Sequence, residues 1–155
     1  MSFGIVMALF GAATAATAAG IGSALGVSYA GYAASGVLAE EPKLFGRVLI
    51  LQALSGTQGI YGLLIAVLIL NKIGLLSGSP IALTAEQGFV YLAAGIPIGI
   101  VGLFSAIFQG RVSATAIMMT AKRPELSARG IMLSALVETY AILALLVSFL
   151  IWNAA

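Results

Sequence analysis

The sequence predicts an all-α membrane protein of four transmembrane helices, built as two duplicated parallel hairpins. Three observations predict it: a composition too apolar for water, four long apolar runs, and a repeat of 82 residues. Hydrophobic residues make up 61% of the 155 positions and charged residues 8%. A soluble domain carries about a quarter charged residues, so most of this surface must face lipid.

The apolar runs cover about residues 3–39, 48–70, 88–120 and 131–152. Each exceeds the roughly 20 residues that cross the hydrocarbon layer. Backbone amides find no partner in lipid, so each run must be helical. The first and third are longer than a span requires and are expected to project on one side. The N-terminal run lacks a positive leading segment and continues past any small-residue cleavage site. It is therefore expected to be a retained span.

Pro42 and Pro124 stop the helices before them, in two short polar turns. A Gly/Ser/Pro loop over 73–87 separates a hairpin of residues 1–72 from one of residues 88–155. Lys43, Arg47, Lys122, Arg123 and Arg129 gather at the short turns, and Lys72 lies at the other side. Positive charge stays inside, so the turns are expected in the cytoplasm and both termini outside.

The repeat is visible residue by residue. Pro42, Arg47, Thr57 and Asn71 recur as Pro124, Arg129, Thr139 and Asn153. Recurrent Leu and Ala follow from composition alone, but these four do not. Both copies run in the same direction, which makes the repeats parallel. The first span is rich in Gly and Ala, and Gly22 with Gly26 forms a step that lets helices approach closely in lipid. That density of glycine suggests packing between copies as well as within one chain.

Glu138 is the one acid far from any loop. It lies nine residues beyond Arg129, about 14 Å along a helix, near the middle of the bilayer. A carboxylate there marks function by default. Its counterpart one repeat earlier is Gly56, so the two hairpins share a single acid. Leu54, Thr57, Gln58 and Tyr61 follow i, i+3, i+4, i+7 and share a helix face at that depth. Gly56 and Gly59 loosen the backbone there, which would free a carbonyl such as that of Leu54. Gln109 adds another oxygen from the third span. Neutral oxygens around one carboxylate suit a hard cation.

Other chemistry is excluded. There is no His, no Cys and no carboxylate pair at catalytic spacing, so neither thiol nor imidazole catalysis is available. No basic stripe exists to follow phosphates, so no nucleic-acid partner is expected.

The runs Leu54–Gly62, Phe108–Arg111 and Val137–Ala141 resemble the proteolipid (K or c) rotor-ring subunit of bacterial V-type ATPases, nearest to its sodium-translocating type. The resemblance covers nearly the whole chain, with Ser55 standing where related sequences often have Pro. It implies a non-catalytic subunit of a rotary ion pump in the bacterial cell membrane, binding one Na+ at Glu138, with H+ as the alternative. The implied ligands are Glu138, Gln109, Thr57, Gln58 and the Leu54 carbonyl, with Tyr61 closing the site by a hydrogen bond to Glu138. The implied partners are identical subunits in a ring, a stator subunit bearing an Arg, central-stalk subunits at the cytoplasmic loops, and lipid. Sodium is preferred over the proton because Thr57, Gln58 and Gln109 would be superfluous for a proton. A small multidrug/H+ antiporter is the rival from another class. It would carry its acid in the first helix and line its pocket with aromatics.

Overall fold

The computed structural model describes residues 2–155 and is helical almost throughout. Helix α1 spans Phe3–Glu40, α2 Phe45–Leu54, α3 Thr57–Lys72, α4 Ala85–Lys122 and α5 Ser127–Ala154. Single 3₁₀ turns, Pro42–Leu44 and Pro124–Leu126, join α1 to α2 and α4 to α5. Each Pro occupies the first turn, where its missing N–H leaves nothing unpaired. α1, α4 and α5 are long and apolar enough to cross a membrane. α2 and α3 reach that length only together, and they meet at a bend of 42°.

Two boundaries differ from the sequence expectation. The apolar run expected as one helix over 48–70 is two helices, interrupted at Ser55 and Gly56. The interruption occurs without a proline. The loop expected over 73–87 ends sooner, because α4 already begins at Ala85. Thr84 accepts from the Gln87 amide at 3.2 Å, and the Gln87 side chain returns the bond to the Thr84 N–H at 3.1 Å. That reciprocal cap starts the helix early. Within the loop, Gly74 and Gly78 adopt φ of 75° and 71°, a left-handed backbone that a β-carbon resists.

The long helices α1 and α4 form the spine of the molecule, in backbone contact. A Cβ placed on Gly11 would strike the Tyr91 carbonyl, and one on Gly95 the Gly11 carbonyl. The same holds further along, where Gly26 meets Ala106 and Gly110 meets Gly26. Lipid gives no hydrophobic reason for helices to associate, so close van der Waals packing of small residues must supply it. α3 and α5 lie against this spine. Ile65, Ile69 and Ile98 fill one core and Val48, Leu51 and Ile117 another. Outward-facing Leu143, Leu146, Leu150 and Met132 are left uncovered, as a lipid-facing surface requires.

Pro97 lies inside α4 and removes one ladder bond. The next amide, Ile98 N–H, donates to the buried Ser148 hydroxyl at 3.1 Å. This bond ties α5 to α4 where the proline weakens it.

Substituting Leu for Gly95 or Gly110 should collapse the α1–α4 contact, because the obstacle is main chain that cannot rotate away. Thermal denaturation in mild detergent should show loss of the folded species. Gly46→Ala, where an added Cβ meets nothing within 4 Å, should leave the transition unchanged or raise it.

Candidate functional site

The helix break between α2 and α3 creates the polar centre. The N-terminus of α3 leaves amides without intrahelical acceptors, and its N-cap residue, Gly56, has no side chain to offer one. α1 supplies it: the Gly59 N–H donates to the Ser23 hydroxyl at 2.8 Å. At the end of α2, the Leu54 carbonyl accepts from the Thr57 hydroxyl at 2.9 Å. Two unsatisfied helix ends are thereby paired inside the bundle.

Gln58 and Gln109 are both fully buried. The Gln58 amide donates to the Gln109 oxygen at 2.5 Å and to Ser105 Oγ at 3.3 Å. Thr57 Oγ1 lies 3.4 Å from Gln58 Oε1. The Gln109 amide donates to Glu138 Oε2 at 3.4 Å, and the Tyr61 hydroxyl donates to Glu138 Oε1 at 2.6 Å. α2, α3, α4 and α5 thus each bring a polar group to one place. Every sequence-expected residue is in this network: Leu54, Thr57, Gln58, Tyr61, Gln109 and Glu138. Among the described residues no three His, Cys, Asp or Glu come together. Any cation here would meet one carboxylate and neutral oxygens.

Two serines that the sequence analysis did not single out support this centre, Ser105 within the network and Ser23 beside it. Ser105 accepts from Gln58 and donates to the Val137 carbonyl at 3.0 Å. It lies four residues before Gln109 on α4, and that i, i+4 spacing is the available signal. Ser23 has no such polar neighbour on α1. Its role follows only from the helix break that it caps.

The family described as the C subunit of ATP synthase matches this chain twice, over residues 10–69 and 92–151. The chain belongs to that family. The two matches begin 82 residues apart, the spacing of the internal repeat. V-type sodium ATPase subunit K of Enterococcus hirae is 46% identical over 148 residues, covering 96% of this chain and 91% of that protein. A-type ATP synthase subunit K of Methanocaldococcus jannaschii is 36% identical across 95% of this chain, which spans 62% of its length. The 16 kDa proteolipid of the V-type proton ATPase of Nephrops norvegicus is 31% identical over 94% of this chain and 89% of its own. With α1, α4 and α5 long and apolar enough to cross a membrane, this member of the family is a multi-pass membrane protein.

Ser23→Ala should remove the cap on α3 at a loss of about 1 kcal/mol. Hydrogen exchange at the Gly59 amide should accelerate, while the amides of α5 keep their protection.

Proposed function

We propose that this chain is the ion-carrying proteolipid of a V-type ATPase rotor ring, holding one Na+ at Glu138. The network joining Glu138 to Gln109, Gln58 and Thr57 carries the reading. In it a single carboxylate is joined to neutral oxygen-bearing groups. The ligands would be the Glu138 carboxylate, the side-chain oxygens of Gln109, Gln58 and Thr57, and the Leu54 carbonyl freed by the helix break. Na+ is a hard cation that takes oxygen ligands, as other such ions do. A glutamine amide offers an oxygen at one end and N–H donors at the other, so a half-turn converts Gln109 from a donor to Glu138 into a ligand. Tyr61 would hold the second carboxylate oxygen and close the site. The name of the Enterococcus relative, a sodium ATPase subunit, supports this choice at 46% identity. A proton would need none of Thr57, Gln58 and Gln109.

The same reading organises the chain as two parallel hairpins, residues 1–72 and 88–155, joined by an external loop. α2 and α3 together would make the second of four spans. The repeated family match supports the duplication. The basic short turns would lie in the cytoplasm of a bacterial cell, facing central-stalk subunits, with both termini outside. The chain would catalyse nothing itself. A carboxylate facing lipid must be neutralised, so Glu138 would stay occupied around the ring. An Arg on the stator would compete with the bound cation and release it.

Purified protein treated with a hydrophobic carbodiimide, which attacks protonated membrane carboxyls, should be modified at Glu138. Na+ should protect it, and Gln58→Leu or Thr57→Val should raise the protecting concentration about tenfold or more, a ligand's worth of about 1.4 kcal/mol. Modification indifferent to Na+ would move the assignment to protons.

A further inference from the structure

A glutamine amide has nearly the same shape at both ends, and its partners decide which end faces where. For a side chain that is to hold a cation the choice is decisive, because the oxygen binds and the N–H end repels. Gln58 is fully buried, so water cannot make that choice for it.

Ser105 makes it. A serine hydroxyl has one hydrogen and two lone pairs. The hydrogen goes to the Val137 carbonyl at 3.0 Å, and a carbonyl has none to give back. Ser105 Oγ can then only accept from Gln58, whose Nε2 donates to it at 3.3 Å. The same amide nitrogen donates to Gln109 Oε1. With both its N–H groups spent toward α4, Gln58 keeps Oε1 on the other side, 3.4 Å from Thr57 Oγ1. Thr57 in turn donates to the Leu54 carbonyl at 2.9 Å. Three oxygens therefore gather where the helix breaks, and one of them is aimed by a residue on another helix.

Gln109 cannot do this by itself. Its amide has the same two ends, and when it turns its oxygen to an ion, Ser105 is the acceptor left to Gln58. Ser105 has no such freedom, since the Val137 carbonyl on α5 keeps its hydrogen. Ser105 also stands one repeat, 82 residues, after Ser23, whose hydroxyl accepts from the Gly59 N–H at 2.8 Å. The two serines meet the first turn of α3 from α1 and from α4. One holds its main chain and the other its side chain.

We infer that Ser105 is a positioning residue of the ion site, accepting from the Gln58 amide and so holding the Gln58 oxygen toward the ion. The inference rests on the reading of Glu138 as a sodium site and adds a residue outside the ligand set. Val137 precedes Glu138 by one residue, so a competing role for Ser105 is to hold α5 in place. The two roles move different quantities. Aiming Gln58 changes the affinity for sodium alone. Holding α5 would shift Glu138 against Tyr61 and Gln109 whether or not sodium is present.

Ser105→Ala keeps the Cβ and removes only the hydroxyl. Carbodiimide labelling of Glu138 in the purified protein, over a range of pH and of Na+ concentration, reads both roles. The expected result is a protecting Na+ concentration raised about fivefold, the worth of one neutral hydrogen bond. The pH profile of labelling without Na+ should stay where it is. In Gln58→Leu, which has no amide to aim, adding Ser105→Ala should leave the protecting concentration unchanged. A protecting concentration that Ser105→Ala does not raise would overturn the inference. So would a loss that persists undiminished in the Gln58→Leu background, or a shifted sodium-free pH profile, since each means that Ser105 acts through α5. Labelling of the unsubstituted chain that Na+ does not slow would overturn the sodium reading, and this inference with it.

Discussion

A carboxylate in hydrocarbon has no water to turn to, and the arrangement around Glu138 follows from that. Its two oxygens are met by Tyr61 from α3 and Gln109 from α4, so the acid on α5 depends on two other helices for its solvation. Those donors reach it only because the spine helices touch. Contacts at Gly11–Gly95 and Gly26–Gly110 bring α1 and α4 into main-chain contact and draw α3 and α5 in beside them. Bulkier residues on the spine would move Gln109 away from the acid that it serves.

Helix breakage serves the same end. An uninterrupted helix over residues 45–72 would keep the Leu54 carbonyl and the Gly59 amide within its own ladder. The bend at Ser55 and Gly56 frees both, and Thr57 and Ser23 pair with them. A free carbonyl in lipid is tolerable only where protein surrounds it. Here it faces the same interior as Gln58 and Gln109. The second repeat shows the contrast: α5 passes through the equivalent positions, Val137 and Glu138, without a break. One half bends to expose neutral oxygens and the other stays straight to present the charge.

Much of this is legible in the sequence because lipid leaves few alternatives. Apolar length marks the helices, and the lone acid with a Thr, two Gln and a Tyr marks the centre. The helix break shows in the sequence only as looseness at Gly56 and Gly59. Ser55 and Gly56 carry no signal as strong as proline, and α4 shows that even Pro97 need not divide a helix when Ser148 takes up the neighbouring amide. Ser23 is invisible for a different reason. A serine on a helix of alanines and glycines acquires meaning only when another helix ends beside it.

The central claim is that one carboxylate, served by groups from both halves of the chain, holds one sodium ion. Equilibrium binding of radioactive Na+ to the purified protein measures it most directly. One ion per chain, abolished by Glu138→Gln and weakened by Gln109→Leu, is the predicted result. Two ions per chain, or binding that survives Glu138→Gln, would contradict it.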